Sequence, residues 1–533
     1  MKDKQFLCMS LAVALTVAGL AGCGSTSSDS TASSATITTE TVESGSAAEQ
    51  SVDTAESSVG ELKGPGNITL SFLGFNLDFD PNTDVMAKCI EDSTGYRVEY
   101  SMLPSDQADE KLIADVAGGV KYDILKVTQD QFQKLLAQGA LMPLNDLLDT
   151  YGKDIENGLA DKEMWSAFSD AEGSIYGIPF MREYANQIDY VTYRKDLAEA
   201  AGITESPTTL DEFYNFLKAL KDHYGDDYIV VSGYDGWDGV SKIIASAFGI
   251  YNDWMVDDNG QVYYMTEAPE FKKYMEYMKK LYDEGLLDSE YAVNTKDTVL
   301  EKLSSGQAIA GTCNHSDQIS VTTSWIDNLG LTQDDVGYIN PLYGDDGTCK
   351  YLDGASVNYV TCILKDSDNA ADAINFINLK VQDQENICIG VEGTDWEFDE
   401  NGNYKPIMPA FADHKTFAWW YINATDTETY AKQWMARIRK SDYQWNAFEN
   451  TTLYVNENAP EIFVSNKFLH KPATGAYIEN NAALKNDLHN YMLQVISNTS
   501  DLDSGLDTFK SDWTSAGGED VKRDLQTWYA ENN

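Results

Sequence analysis

From residue 67 onward the apolar residues keep switching between a period of two and a helical period, and that alternation restricts the fold more than any other feature of the chain. Ile68, Leu70 and Phe72 alternate with Thr69 and Ser71, and a helical stretch covers 85–91. An extended run at 96–102, a helical run at 107–116 and another extended run at 122–127 follow. Strands that take turns with helices predict βαβ units and an α/β sheet. The segment 209–223 opens with Thr209-x-x-Glu212, a capping box, and repeats Leu210, Phe213, Phe216, Leu217 and Leu220 on one face. A second amphipathic helix starts at Pro269, carries Phe271, Tyr274, Met275, Met278 and Leu281, and stops at Gly285. The turns Asp257-Asp258-Asn259-Gly260 and Asp399-Glu400-Asn401-Gly402 predict two hairpins. Beyond residue 410 the chain reads as helical and rich in aromatics, ending in an amphipathic segment at 521–529.

The residues before 67 cannot join such a core. Residues 24–60 hold 11 Ser, 7 Thr and 5 Ala with no aromatic residue, Lys or Arg, so burial cannot offset the entropy of ordering them. They read as a flexible tether. Lys2 and Lys4 precede an apolar run from Phe6 to Leu20 that is too short to span a bilayer, and Leu20-Ala21-Gly22-Cys23 follows. Residues 1–22 are therefore predicted to be an export signal. The tetrapeptide resembles the bacterial lipobox, which implies that Cys23 is lipidated and becomes the first residue after cleavage. Two acyl chains would anchor the protein to the outer face of the cell membrane.

At 533 residues the chain is long enough for three or four domains or two large lobes. The formal charge of −48 excludes a general nucleic-acid binder, because phosphates would be repelled. Disorder is excluded for most of the chain by its 43% hydrophobic and 11% aromatic residues. Setting aside Cys8 and Cys23, the cysteines at 89, 313, 349, 362 and 388 are widely spaced and form no C-x-x-C. They read as small buried hydrophobes, with a Cys349–Cys362 disulfide left open.

Phosphate-loop, zinc-helix and nucleophile-elbow motifs are missing from the sequence, and its five His are isolated from one another. With 86 carboxylates, a pair at glycosidase spacing carries no information. Glu397-x-Asp399-x-Asn401-Gly402 imitates the first half of a calcium-binding EF-hand loop, but Met408 occupies the twelfth position, so it reads as a turn. Neither a metal nor a cofactor is expected. Flat aromatic faces suited to stacking on a sugar ring are available at Trp237, Trp325, Trp396, Trp419, Trp420 and Trp445. Trp237 and Asp238 sit in a Gly- and Asp-flanked loop, and adjacent Trp419 and Trp420 cannot both face one core in a regular helix.

The lipobox, the tether, Gly177-Ile178-Pro179, Tyr193-Arg194-Lys195-Asp196 and Pro207-x-Thr209-x-Asp211-Glu212-Phe213 resemble the extracellular solute-binding proteins of family 1, the lipoprotein receptors of ABC importers. Lys280-Leu281-Tyr282-x-x-Gly285-Leu286-Leu287-Asp288 and Gly390-Val391-Glu392-Gly393-Thr394-Asp395-Trp396 are similar, more narrowly, to its large carbohydrate-binding, LplA/LipO/YtcQ-like branch. The resemblance implies an α/β, bilobal periplasmic-binding-protein-like fold, two α/β lobes joined by hinge strands. It places a tether at 23–66, lobe 1 at 67–185 and 336–392, and lobe 2 at 186–335 and 393–533, with C-terminal helices free to pack back on lobe 1. It also implies a ligand site: Arg182, Glu183 and Tyr184 at the first hinge, Asn76 after the first strand, and Asn314 and His315 after the apolar strand 308–311. These join Trp237, Asp238, Trp419 and Trp420 as the expected ligand residues.

The implied function is capture of a carbohydrate, an oligosaccharide, by hinge closure and its delivery to the permease subunits of an importer, by a lipid-anchored monomer that performs no chemistry. Two other classes stay open: a surface polysaccharide lyase or glycoside hydrolase, and an adhesin without a transport partner. Cys23→Ala is expected to block both acylation and signal cleavage. A variant that is still processed and still takes up a fatty-acid label contradicts the lipobox reading.

Overall fold

Strand β1 (Thr69–Gly74) is the alternating segment 68–72 carried a little further, and it forms the spine of the first sheet. In the computed structural model, which describes residues 60–181, 186, 188–234, 236–353 and 357–532, β1 lies parallel to both β2 (Arg97–Met102) and β3 (Ile124–Val127). Strand β4 (Ile178–Met181) closes the first run of chain. The export signal, Cys23 and most of the tether lie outside the described residues, as do Arg182, Glu183 and Tyr184.

The chain then builds a second sheet from β5 (Tyr190–Arg194) and β6 (Ile229–Ser232), followed by the hairpin of β7 (Trp254–Val256) and β8 (Val262–Tyr264), then β9 (Ala308–Cys313) and β10 (Val336–Ile339). Short β11 (Tyr351–Leu352) leads to β12 (Val357–Cys362), which returns to the first sheet between β3 and β4 and runs antiparallel to both. A hairpin of β13 (Trp396–Phe398) and β14 (Tyr404–Pro406) and a last strand β15 (Phe463–Val464) complete the set. The sheet orders are β2-β1-β3-β12-β4 and β10-β5-β9-β6, each with helices packed against it. This is a bilobal α/β fold.

The predicted helices form where their apolar faces have a sheet to cover. Leu210–Tyr224 buries Leu210, Phe213, Phe216, Leu217 and Leu220, and Phe271–Asp283 buries Phe271, Tyr274, Met275, Met278 and Leu281. At the first of these the side chain of Thr209 accepts from the Glu212 amide, while the Glu212 carboxylate takes the amide of Thr208 rather than that of Thr209. Both hairpin turns form where the Asn-Gly pairs stand.

Two departures from the expected layout, at 418–448 and at the end of the tether, have packing reasons. Residues 418–448, assigned above to lobe 2, bury Trp420, Tyr421, Tyr430, Trp434 and Phe448 in the core around β1, because the bare face of the first sheet takes their aromatic rings. The helices Gly475–Ile496, Leu502–Ser515 and Gly518–Asn532 cover the second lobe's core, where Leu488, Met492 and Phe509 meet Tyr264 and Tyr274, while Ile478 reaches the first lobe. The tether ends earlier than residue 66: Asp372, fully buried, accepts the backbone amides of Lys63 (3.0 Å) and Gly64 (2.7 Å) and the hydroxyl of Tyr96 (2.9 Å). Cys349 and Cys362 are free thiols buried in separate cores, so no disulfide joins them.

The lobes are joined where three chain segments cross. Ile188, Tyr351, Val455 and Ile462, from the three segments, share a small core. Asn186 and Asn456 exchange two hydrogen bonds, amide to side chain at 3.1 Å and side chain to carbonyl at 2.9 Å. Tyr351 donates its hydroxyl to Asp189 and takes the Asp189 amide. Strands β11 and β15 pair in parallel beside them.

Asp372 is the clasp that fixes the start of the body. Hydrogen bonds to a buried carboxylate contribute about 1.5–3 kcal/mol each, so Asp372→Ala is expected to lower unfolding stability by about 3 kcal/mol or more. Urea unfolding measures it, and a loss under about 1 kcal/mol contradicts the clasp.

Candidate ligand cleft

Side chains that follow parallel strands are presented at the strand ends, and in each lobe those ends carry residues expected from the sequence. In the first lobe β1 ends at Gly74, whose missing side chain is required: a Cβ there would lie 2.7 Å from the Trp420 ring. Phe75 and the exposed Asn76 come next. The Phe75 ring stacks on Tyr359 of β12 (centroids 4.1 Å apart, planes at 8°) and on Trp419 (5.3 Å, 27°). These three rings make a continuous aromatic wall. Its outer member, Trp419, is half-buried and carries the Arg437 guanidinium 5.5 Å from its ring centroid.

Lys126 holds this wall from behind. It is fully buried in β3, donates to the carbonyls of Trp419 (2.8 Å) and Trp420 (3.1 Å), and places its ammonium 4.4 Å from the Phe180 ring and 5.4 Å from that of Tyr359. Cation–π contacts of this kind reach about 2 kcal/mol when desolvated. Deeper in the same lobe Lys380 donates to the Tyr421 carbonyl (2.8 Å), and burial draws its ammonium down to about 7. Lys415 donates to the Asn386 carbonyl (2.7 Å). The Cys388 thiol is pushed up to about 12 by burial, against the pull of Lys415, Arg437, Lys380 and Lys126.

In the second lobe β9 leads into Asn314 and His315. Asn314 is exposed, and its side-chain oxygen accepts the amides of Ser316 (2.9 Å) and Asp317 (3.0 Å), shaping the entry to the helix Gln318–Leu329. His315 is buried, with its ring 5.3 Å from that of Trp434 and 5.6 Å from that of Phe448. Both belong to the first lobe's core, so the end of β9 meets the helices Thr427–Ile438 and Asp442–Phe448 here, with Gln444 donating to Ser316 (3.3 Å). The loop after β6 carries Trp237, half-buried and edge-on to Tyr274.

Two expected ligand residues are taken up by the fold instead. Asp238 is 4% exposed and caps the helix Gly239–Ala247; its oxygens accept from the amides of Ser241 and Tyr234 and the hydroxyls of Tyr291 and Thr312. Those four donors leave it no capacity for a sugar hydroxyl. Trp420 is fully buried among Phe72, Tyr100 and Tyr421 and donates its indole N–H to the Phe75 carbonyl. Its neighbour Trp419 is only half-buried. Of the other tryptophans, Trp325 and Trp396 are buried, and Trp445 is half-buried beneath the Arg439 guanidinium.

These features, two α/β lobes and three crossing segments, coincide with a sequence match: residues 85–381 match the bacterial extracellular solute-binding protein family. The chain belongs to this family. The lipoprotein LipO of Bacillus subtilis is 23% identical over 467 residues, covering 83% of this chain and 88% of its own. The polygalacturonan/rhamnogalacturonan-binding protein YtcQ of the same organism is 26% identical over 265 residues, 48% of this chain and 52% of its own. Among solved structures, the Streptococcus pneumoniae ABC-transporter substrate binding protein FusA in complex with kestose aligns at a TM-score of 0.66 and 18% identity, over 87% of this chain and 99% of that one.

For a solute-binding protein, the side chains that sequence reasoning missed are the informative ones. Phe75 and Tyr359 carry no motif. Lys126 does leave a signal, since it is a charge inside Ile124-Leu125-Lys126-Val127, a strand buried at every position. The EF-hand-like run forms the β13–β14 turn, in which Asp399 accepts the amides of Asn401 and Asn403 and pairs with Arg439. The Asn403 amide and the Arg439 guanidinium hold its carboxyl down to about 2. Among the described residues no group of three or more His, Cys, Asp or Glu is placed to hold a metal ion. A separate groove of about 660 Å³ runs along β10, beside Tyr338, Asn340, Tyr343 and Tyr454, and contains none of the expected ligand residues.

The contrast between the adjacent tryptophans is testable. Trp420→Ala is expected to lower stability by about 3–5 kcal/mol, whereas Trp419→Ala is expected to leave the melting temperature nearly unchanged and weaken ligand binding about tenfold or more. Equal melting temperatures for the two variants contradict the assignment.

Lys380 supplies a pH signature. Its folded value of about 7 lies below the ordinary 10.5, so between them the unfolded chain holds a proton that the folded chain lacks. Its contribution to stability therefore rises with pH across that window. Lys380→Met removes this rise, so the stability difference, wild type minus variant, is expected to grow between about pH 7 and about pH 9 in chemical unfolding. A difference that stays constant contradicts the depressed value.

Proposed function

We propose that this chain is the lipid-anchored receptor of an ABC importer, that it captures an oligosaccharide between its lobes, and that it passes the closed complex to the permease at the outer face of the membrane. The carrying observation is the stacked wall of Phe75, Tyr359 and Trp419 at the end of β1. Aromatic faces suit the C–H face of a pyranose, while Asn76, Asn314 and Arg437 supply planar donors and acceptors for hydroxyls. Arg182, Glu183 and Tyr184, which follow β4 in the sequence, belong in the same reading.

The names of relatives support the ligand class. FusA is described in complex with kestose, and YtcQ as binding polygalacturonan and rhamnogalacturonan. The lipid anchor is supported by the Leu-Ala-Gly-Cys tetrapeptide and by the description of LipO as a lipoprotein. The three-segment crossing permits rotation of one lobe against the other with little loss of packed surface. In this reading the protein does no chemistry, and binding energy is spent on closure.

Small-angle scattering with and without a saturating oligosaccharide tests the proposal, using ligands found by thermal-shift screening. The radius of gyration is expected to fall on binding, and the recovered sugar is expected to be chemically unchanged. An unchanged radius at saturation contradicts hinge closure. New reducing ends or unsaturated products would favour a glycoside hydrolase or lyase.

A further inference from the structure

The groove along β10 is lined on one side by the helical run 442–458, from which Asn446, Asn450, Tyr454 and Asn458 all face it. These residues stand at every fourth position. At about 3.6 residues per turn, each such step drifts by about 40° round an α-helix, and three steps by about 120°. Here the turn Glu449–Leu453 is a π-helix, whose wider ring makes a four-residue step fall short of a full turn and offsets part of that drift. Single π-turns of this kind are frequent at functional sites.

What the groove presents is amides and phenol rings. The side-chain oxygen of Asn446 accepts the Tyr338 hydroxyl (2.9 Å) and the Gln333 amide (3.0 Å). The side-chain amides of Asn450 and Asn458 donate to the carbonyls of Asn446 and Tyr454, one turn back and each at 2.8 Å, which leaves their oxygens to accept from a ligand. Asn340 donates to the Asn450 carbonyl (3.2 Å). Among the described residues nothing donates to the buried side-chain oxygens of Asn340 and Gln333, a cost that a hydroxyl removes once either amide turns into the groove. Tyr454 is 54% exposed, so its ring face is open. The opposite wall is pinned by Tyr343, whose amide donates to the Thr208 carbonyl (2.8 Å) and whose carbonyl takes the Leu210 amide (3.1 Å).

In a chain with 86 carboxylates, the charged groups lining this groove are Lys195, Glu205 and Asp334 alone among the described residues. An anion would meet one cation against two carboxylates. A neutral polyol suits the lining better, because vicinal hydroxyls both donate to and accept from planar amides while the C–H face of the ring packs on a phenol. The volume, about 660 Å³, is that of a small-molecule site.

We propose that this groove is a second saccharide site, outside the cleft, which takes a short neutral glycan segment with a sugar ring on Tyr454 and hydroxyls on Asn340, Asn450 and Asn458. It lies at the outer edge of the second sheet, two strands from β9 with its Asn314 and His315, so groove and cleft can be filled together. The proposal stands on the chemistry of the groove and does not need the cleft reading.

Calorimetric titration of the full-length chain with kestose, laminaribiose, maltotriose and chitobiose tests it, in the wild type and in Trp419→Ala, which weakens the cleft. At least one of these sugars is expected to bind the Trp419→Ala chain, and adding Tyr454→Ala is expected to weaken that binding about tenfold. Asn458→Ala is expected to weaken it about threefold. Neither groove substitution is expected to move the melting temperature, since both side chains are exposed. If the sugars bind but neither Tyr454→Ala nor Asn458→Ala changes their affinity, the groove proposal is overturned and the cleft reading stands. If Tyr454→Ala removes all binding and Trp419→Ala changes none, the cleft reading fails and the groove stands. Failure of all four sugars to bind the wild type overturns the groove as a neutral-saccharide site.

Discussion

The ammonium of Lys126 is the point on which the first lobe's cleft surface depends. It is buried in the central region of the first sheet, and its two hydrogen bonds reach the carbonyls of Trp419 and Trp420, almost 300 residues away in sequence. Burying such a charge costs several kcal/mol, offset here by charged hydrogen bonds of about 1.5–3 kcal/mol each and by aromatic faces on more than one side. The geometry that satisfies the ammonium also fixes the tryptophan pair. One ring is driven into the core behind Gly74, and the other is left stacked on Phe75. The wall is thus a consequence of where a buried cation finds its acceptors.

The crossing segments do the same for the relation between the lobes. Backbone and amide bonds between Asn186 and Asn456, the Tyr351–Asp189 pair and a core of a few apolar side chains hold three strands of chain together with little buried surface. The large cores lie on either side of this joint and need not repack. His315 against Trp434 and Phe448 marks where the second lobe's strand ends touch the first, so relative motion of the lobes is felt directly at those rings.

Much of this was legible in the sequence, and the exceptions share a cause. Periodicity located β1, β2, β3 and the two amphipathic helices because their side-chain patterns are local responses to one sheet face. Resemblance supplied the bilobal plan and the position of the strand ends. The lobe membership of 418–448 was not readable, since aromatic helices fit either core and only the sheet left uncovered decides. Asp238 was misjudged because an exposed-looking loop motif was in fact a helix cap, with Ser241 three residues on as the available clue. Trp419 and Trp420 were indistinguishable as neighbours, and their difference is set by Gly74 and Lys126 on strands far back in the chain. Arg437 on its helix gave no local sign that it would meet Trp419.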